Sequence, residues 1–418
     1  MESVKNVVSL DPNVNADVLA HAEKVGLKVH TLDEVIEQGK ANLEKFNSEQ
    51  FKEPVPEDIF MLSYTSGTTG DPKGVKLSHK MVMQCAESVN SRLGAACFTE
   101  ADCYISYLPA AHSFEQALMA TAMVTGMKIG YYGGDPLKLV PEDLPTLKPT
   151  FLPSVPRIYN RIYGKVKDTF NAATGCKASL VNNAVNTKMA NFKRDGTLTH
   201  GCWDSVVFKK VKALVGGNVR IMLTGSAPIA ADVLDFLKIC FCCDIIEGYG
   251  MTETSAGSFT TFPGDSTSGH VGGPCANVKI RLRDIPEMGY LSSNDPPKGE
   301  VCFWGPSIMS GYFKNEEKTK EAFHGEWLLS GDVGMINPDG SLKIVDRAKN
   351  IFKLSQGEYI APEKCENVYV QSGWLGQVWV HGDSLRDYVI MIAVVDPDKY
   401  KAWAKTKSLE PTQENLSN

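Results

Sequence analysis

A run of eleven residues at 64–74, YTSGTTGDPKG, combines three glycines, four serine or threonine hydroxyls and one lysine. Such hydroxyls and the neighbouring backbone amides can surround an anion, and Lys73 adds a mobile positive charge. The hydroxyl residues are Thr65, Ser66, Thr68 and Thr69. The Walker A pattern is excluded because it requires Gly-Lys-Ser/Thr where Gly74 and Val75 stand. The kinase pattern GxGxxG is excluded by the spacing of Gly67 and Gly70. A phosphate clamp of another class remains, with a ligand-free surface turn as the alternative.

Other polar, glycine-bearing turns follow apolar runs that are typical of buried strands. VRIMLTGSAPI (219–229) and CCDIIEGYG (242–250) are the clearest examples. In α/β sheets, ligands bind where buried parallel strands end in polar loops. These two turns are therefore candidate binding loops.

The elements needed to position these loops can be predicted from hydrophobic periodicity. Residues 6–46 alternate strand, helix, strand and helix, which indicates parallel pairing and an α/β fold. An apolar strand ending at Tyr64 leads into the glycine-rich loop, and 79–94 is helical, so we expect strand, phosphate loop and helix. From about residue 277 short strands predict a small β subdomain, and a helix and two strands follow after 350.

Composition sets limits on the class of protein. A chain of 418 residues should hold more than one domain, and 43% hydrophobic residues suffice for a core. The net charge of −6 gives no electrostatic argument for nucleic acid. The sequence lacks both a stretch apolar enough for a spanning helix and a secretory signal. The eleven cysteines lack metal-ligand spacing, and Cys240, Cys242 and Cys243 are expected to be reduced core residues.

The glycine-rich loop resembles the signature loop of the AMP-forming adenylating superfamily, which comprises acyl-CoA synthetases, luciferases and peptide-synthetase adenylation domains. EGYGMTETS (247–255) is similar to the superfamily's adenine and magnesium motif. The block at 327–369 resembles its ribose-binding and hinge region. Three blocks in the same order support this resemblance.

Further stretches look most like long-chain fatty acyl-CoA synthetases; they are LPAAHSFE (108–115), SVPRIYNRI (154–162), TGSAPI (224–229), PGDSTSGHVGGP (263–274) and FKLSQGEYIAPEKCENVY (352–369). The resemblance implies an adenylating large domain over 1–345 and a hinge with a mobile α+β C-terminal domain over 346–418. It also implies a two-step reaction. A fatty acid and ATP give an acyl adenylate, and coenzyme A then displaces AMP.

The resemblance assigns roles to individual residues. Thr65 to Gly70, with Lys73, are expected to hold the outer phosphates of ATP. Glu253 and Thr65 are expected to hold Mg²⁺, a cation that prefers hard oxygen ligands. A helix-capping role is the alternative for Glu253.

The same resemblance implies that adenine lies between the 225–228 turn and Tyr249. Nucleotide contacts are expected from Gly225, Ser226, Ala227, Glu247, Gly248, Tyr249, Gly250, Met251 and Thr252. Asp332 is expected to accept both ribose hydroxyls, unless it caps a turn. Arg347 is expected at the ribose or α-phosphate, and Lys349 at the hinge.

His112 is expected near the acyl carboxylate or the attacking thiol, with a buried core histidine as the alternative. Gln116 departs from the family pattern, because long-chain members usually carry arginine after Phe-Glu. The tunnel entrance and the preferred chain length therefore cannot be predicted.

The resemblance also implies that family segments are missing at both ends. Only 63 residues precede Tyr64, and the chain stops before the position of the family's closing lysine. We therefore expect binding of ATP and Mg²⁺ but poor adenylation by this chain alone. The alternatives are an inactive nucleotide- or lipid-binding relative, or a ligase for another carboxylic acid.

The expected partners are fatty acid, ATP and coenzyme A, with Mg²⁺ as cofactor and no nucleic acid. The expected location is intracellular, in the cytoplasm or peripherally on the cytosolic face of the endoplasmic reticulum or peroxisome.

Overall fold

The computed structural model describes residues 4–45, 52–65, 72–94, 97–348, 350–356, 359–383 and 385–412. The chain divides into two compact units, Met1–Val55 and Pro56–Asn418. The predicted boundary after residue 345 stays a prediction.

The first unit is a small α/β unit with the predicted alternation of elements. It contains β1 (Asn6–Ser9), α1 (Ala16–Lys24), β2 (Lys28–Thr31) and α2 (Leu32–Ala41), and a 3₁₀ turn follows at Leu43–Lys45. β1 and β2 pair in parallel, as predicted. A capping box between Thr31 and Glu34 starts α2 directly after β2, because it satisfies backbone amides that the helix leaves free.

The second unit begins with a hairpin. β3 (Ile59–Thr65) pairs antiparallel with β4 (Lys73–Ser78), and α3 (His79–Leu93) follows. The sequence predicted strand, loop and helix, whereas the structure has a second strand, β4, between the loop and the helix. The predicted order was therefore wrong by one strand. The reason is local, since Val75 and Leu77 point into the core with no exposed surface and Ser78 caps α3.

A seven-stranded sheet forms the centre of this unit. In chain order it and its helices comprise β5 (Cys103–Ser106), α4 (Ser113–Thr125), β6 (Lys128–Tyr131), α5 (Leu144–Leu147), β7 (Phe151–Ser154), α6 (Pro156–Asn171), α7 (Cys176–Asp195), α8 (Gly201–Trp203), α9 (Lys209–Ala213), β8 (Ile221–Thr224), α10 (Ala231–Phe241), β9 (Asp244–Tyr249), β10 (Phe259–Thr260) and β11 (Gly273–Pro274). The spatial order is β11-β10-β9-β8-β7-β5-β6. The pairs from β6 to β9 are parallel, and β10 and β11 are antiparallel.

Burial on both faces of the sheet explains why its central strands are apolar. Every residue of β7 and β8 is buried, as expected for parallel strands covered on both faces. The main apolar cluster includes residues of α6, α7 and α10. The α/β fold class predicted from the sequence is confirmed.

The cysteines of the apolar run at 240–243 differ among themselves. All eleven cysteines are free thiols, and Cys240 and Cys243 are buried, as predicted. Cys242 is only half-buried and ends α10 with a φ of 56°. Its sulfur accepts a hydrogen bond from the buried Lys188 at 3.0 Å, so it has a polar partner that the core interpretation lacked.

Five antiparallel strands and one helix form the predicted β subdomain. It contains β12 (Lys279–Arg283), β13 (Lys298–Trp304), α11 (Glu316–Ala322), β14 (Phe323–His324), β15 (Trp327–Ile336) and β16 (Leu342–Arg347). All pairs are antiparallel, in the order β12-β13-β15-β14, with β16 also on β15. The pairing of β15 with β16 sets Asp332 opposite Arg347.

The last described elements are two small hairpins and two helices. They are β17 (Phe352–Lys353), β18 (Tyr359–Ile360), α12 (Pro362–Val370), β19 (Leu375–Gly382), β20 (Val389–Val395) and α13 (Pro397–Thr406). Within the described ranges, no helix combines the length and apolarity needed to cross a bilayer.

Candidate functional site

A cavity of about 1380 Å³ lies at the carboxyl ends of β8 and β9. The β3–β4 hairpin, the start of α4, β15, β16 and α12 complete its walls. The predicted site residues that line it are Thr65, Lys73, His112, Gly225, Ser226, Ala227, Glu247, Gly248, Tyr249, Gly250, Met251, Thr252, Glu253, Asp332 and Arg347. Ser66, Gly67, Thr68, Thr69, Gly70 and Lys349 lie outside the described residues.

The β3–β4 hairpin brings a hydroxyl and a cation to this cavity. Thr65 and Lys73 are directly opposite each other at the open end of the ladder. The Lys73 ammonium lies 4.8 Å from the ring centroid of Tyr312, an aromatic contact that orients its charge. The hairpin therefore presents both groups to the cavity.

Glu253 lies in a 3₁₀ turn, Thr252–Thr254, directly after the EGYG motif. Its side chain is 7% exposed, and its Oε1 accepts a hydrogen bond from the Tyr312 hydroxyl at 2.8 Å. Its backbone oxygen accepts from the Met309 amide. The cap of this turn joins Met251 and Thr254 instead, so the Glu253 carboxylate does not act as a cap.

The donor atoms near Glu253 fit a magnesium ion held jointly with phosphates. Mg²⁺ commonly takes one or two protein oxygens and fills its other positions with water and substrate phosphate. Glu253 and Thr65 supply such oxygens at the cavity wall. The described residues contain no cluster of three or more histidine, cysteine or carboxylate ligands.

The loops after β8 and β9 approach each other closely. A Cβ at Gly225 would lie 3.3 Å from the backbone oxygen of Gly248, and one at Gly250 only 1.9 Å from that of Ala256. Ser226 adopts a left-handed φ of 70°. Glycine is therefore required at Gly250, and the turn after β8 comes close to the end of β9 beside Tyr249.

Asp332 contacts residues from two other strands that line the cavity, β9 and β16. Its Oδ2 accepts a hydrogen bond from the Tyr249 hydroxyl at 2.6 Å, and its Oδ1 lies 3.8 Å from Arg347 Nε. Burial raises the pKa of Asp332, and the hydrogen bond from Tyr249 and the charge of Arg347 oppose that rise. Asp332 is thus held by a donor on one side and a cation on the other.

Glu247 is a buried carboxyl in the same cavity. It is 8% exposed, and its Oε2 has no hydrogen-bond partner among the described residues. Burial raises the pKa of Glu247 to about 8, and the charge of Lys238 opposes the rise. At neutral pH the folded protein therefore holds Glu247 as a neutral acid, which can donate a hydrogen bond into the cavity.

Replacing Glu247 with glutamine is expected to make stability less dependent on pH. Between the ordinary pKa of 4.5 and about 8, the folded state keeps a proton that the unfolded chain has lost, so the free energy of unfolding falls as pH rises. The advantage of E247Q over wild type should grow by about 3 kcal/mol from about pH 5.5 to about pH 8. Urea unfolding at both pH values measures it, with the exposed Glu100→Gln as control. A difference that does not change with pH would contradict the assignment.

His112 begins α4 rather than packing in the core. Its Nδ1 accepts a hydrogen bond from the Phe114 amide at 3.1 Å, and the side chain is exposed to the cavity. This bond leaves the ring proton on Nε2 when the ring is neutral. Desolvation lowers the pKa of His112, which favours the neutral ring.

Tyr312 is the functional candidate that sequence reasoning missed. It contacts both Lys73 and Glu253 but lies 59 residues from Glu253 in the chain. A bridge between Val75 and Tyr312 holds it against β4. Long-range strand pairing of this kind leaves no local pattern, so only the structure reveals the contact.

Comparisons with known proteins identify relatives of this chain. The chain is 44% identical over 387 residues to long chain acyl-CoA synthetase 7, peroxisomal, of Arabidopsis thaliana, a match that covers 92% of this chain and 54% of that protein. It is 42% identical over 418 residues to long-chain-fatty-acid–CoA ligase 5 of Mus musculus, covering 99% of this chain and 59% of that protein. The chain therefore spans little more than half the length of these relatives.

Solved structures support the fold. The adenylation domain of a carboxylate reductase from Mycobacterium chelonae superposes with a TM-score of 0.76 at 23% identity, covering 97% of this chain and 59% of that one. A family model described as AMP-binding enzyme matches residues 3–313, which is most of the chain. On that match, the chain belongs to the AMP-binding enzyme family.

Proposed function

We propose that this chain carries the nucleotide and acyl site of a long-chain fatty acid–CoA ligase. The observation that carries the proposal is the single cavity that contains Lys73, Glu253, Asp332 and Arg347 beside the glycine-bearing loops. Its relatives named as long-chain ligases give the substrate class.

The adenylation step requires a carboxylate to attack a phosphate that is itself negative. The fatty acid oxygen attacks the α-phosphorus of ATP, and pyrophosphate leaves with the bonding electron pair. Catalysis of such a step rests on positioning and on cations aimed at the phosphates. In the proposal Lys73 faces the outer phosphates, while Arg347 faces the ribose or α-phosphate.

Glu253 and Thr65 would hold Mg²⁺, which neutralises charge on the phosphate oxygens when bound. Tyr312 keeps the Glu253 carboxylate turned toward the cavity. Asp332 would accept the ribose hydroxyls, and Tyr249 with the 225–228 turn would enclose adenine. The neutral acid of Glu247 is suited to the polar edge of the base.

The remaining wall of the cavity suits an acyl chain. Apolar side chains from α3, α4 and the loops after β8 and β10 line it; examples are Val89, Leu118, Ile229 and Val271. His112 stands at the start of α4 and lines the same cavity. In the second step the thiolate of coenzyme A attacks the acyl carbon, and AMP leaves.

We further propose peripheral association with an organelle membrane as the location, because the acyl substrate partitions into lipid. The expected partners remain fatty acid, ATP and coenzyme A.

The test is fatty-acid-dependent exchange of labelled pyrophosphate into ATP by the purified chain. We expect palmitate to stimulate exchange, although weakly, because poor adenylation is expected of this chain alone, and benzoate and phenylalanine to have no effect. Stimulation by benzoate or phenylalanine would favour a ligase for other acids. Binding of ATP without exchange for any acid would favour the nucleotide-binding alternative.

A further inference from the structure

Glu300 on β13 is a buried carboxylate that the reaction as described does not use. It is 4% exposed and lies at the wall of the cavity. Its Oε2 forms an ion pair with Arg283, its direct neighbour on β12. Its Oε1 accepts a hydrogen bond from the Gly331 amide at 2.9 Å.

Gly331 is the residue immediately before Asp332, and its backbone is unusual. Its φ of 74° lies in the left-handed region, which interrupts regular strand geometry in the middle of β15. Its amide bonds to Glu300, and its carbonyl oxygen accepts from the Ala348 amide at 2.8 Å. Both backbone polar groups of Gly331 are therefore fixed, the N–H in the peptide before it and the C=O in the peptide that joins it to Asp332.

The consequence is that Glu300 sets the position of two site residues at once. Asp332 follows Gly331 directly, and Arg347 precedes Ala348 directly. The register of β13 and β15 shifts at this point, between Glu300 and Cys302. Because this ladder is irregular here, backbone pairing with β13 does not hold the Gly331 amide, and the Glu300 side chain supplies its acceptor.

We propose that Glu300 is a positioning residue that holds Asp332 and Arg347 in the geometry for binding the ribose of ATP. It acts through the Gly331 peptide and does not itself touch the nucleotide. This inference rests on the proposed nucleotide site.

The experiment compares binding of ATP and of 2′,3′-dideoxy-ATP, each with Mg²⁺, by calorimetry. Dideoxy-ATP lacks the hydroxyls from which Asp332 is proposed to accept hydrogen bonds. Its affinity therefore reports on every contact of the nucleotide except that one. Glu300→Asp keeps the charge but withdraws the oxygen from Gly331, and Glu300→Gln keeps an acceptor but loses the charge. Glu300→Ala removes both, and Arg283→Ala removes only the partly exposed ion-pair partner.

We expect E300D and E300A to weaken ATP binding about tenfold, because a buried amide loses its charged acceptor. Binding of dideoxy-ATP should change less than about twofold, since that ligand makes no use of Asp332. E300Q and R283A should remain within about threefold of wild type, because each keeps the side-chain oxygen that accepts from the Gly331 amide. If E300A does not fold, the comparison of E300D with E300Q decides.

Two results would overturn the positioning role while leaving the proposed function intact. One is an E300D variant that binds both nucleotides as tightly as the wild type does. The other is equal weakening of both nucleotides by E300D, which points to general disorder of the sheet. A wild-type chain that does not bind ATP contradicts the proposed function itself, and the inference with it.

Discussion

Replacing Glu253 with glutamine is expected to lower palmitate-dependent pyrophosphate exchange about 100- to 1,000-fold, the range seen when a single charge-stabilising group is removed. Glu253 is the buried carboxylate at the cavity wall that fits Mg²⁺. Glutamine keeps the size of the side chain and an acceptor for the Tyr312 hydroxyl, so the fold should be preserved. What is lost is the negative charge that a divalent cation requires.

The measurement is exchange rate against Mg²⁺ concentration. In E253Q we expect the half-saturating Mg²⁺ concentration to rise along with the fall in rate. Tyr312→Phe leaves the Glu253 carboxylate charged but removes the hydrogen bond that orients it. A smaller loss of exchange rate, about tenfold, is therefore expected. Glu317→Gln, on the exposed first turn of α11, serves as the matched control. Exchange by E253Q within about twofold of wild type would contradict the magnesium assignment.

The polar turns after strands were predictable because their signal is local. VRIMLTGSAPI and CCDIIEGYG each combine an apolar run with glycines, and both end at the cavity as β8 and β9. Parallel strands bring their carboxyl ends to one edge, so local patterns were sufficient to collect these loops at one site. The pairing of Asp332 with Arg347 likewise follows from two neighbouring strands of a hairpin.

The hairpin of the glycine-rich loop was not predictable in the same way. Residues 73–78 follow proline and carry two lysines, which hides the fact that Val75 and Leu77 are fully buried. What stabilises β4 is distant in the chain, including a backbone bond from Lys76 to the Gly311 oxygen. Tertiary contacts thus override the local pattern.

The supporting residues of the site share this limitation. Tyr312 reaches Glu253 across 59 residues, and Glu300 reaches Gly331 across 31. Neither lies in a motif with a recognisable spacing, because each acts through a partner that the fold supplies. Sequence reasoning therefore named many residues that line the cavity but missed these two, which also line it and hold others in place.

Replacing Asp332 with alanine is expected to weaken ATP binding about 100-fold, because two hydrogen bonds to a charged, buried acceptor are lost together. Asparagine keeps one acceptor and the shape of the side chain, so D332N should bind ATP about tenfold more weakly than wild type. Calorimetric titration with ATP and Mg²⁺ measures both. Asp339→Asn is the matched control, since Asp339 is an exposed carboxylate in the turn between β15 and β16 that accepts hydrogen bonds from Ser341.

The pH dependence of ATP binding tests the same carboxylate without mutation. Burial raises the pKa of Asp332, so protonation, and with it the loss of ribose acceptance, should begin at a higher pH than for an ordinary carboxyl. Affinity of the wild type is expected to fall on acidification, whereas that of D332N should be nearly flat over the same range. A parallel fall in both proteins would mean that another group controls binding. Unchanged affinity in D332A would show that the Tyr249–Asp332–Arg347 arrangement serves the fold and not the nucleotide.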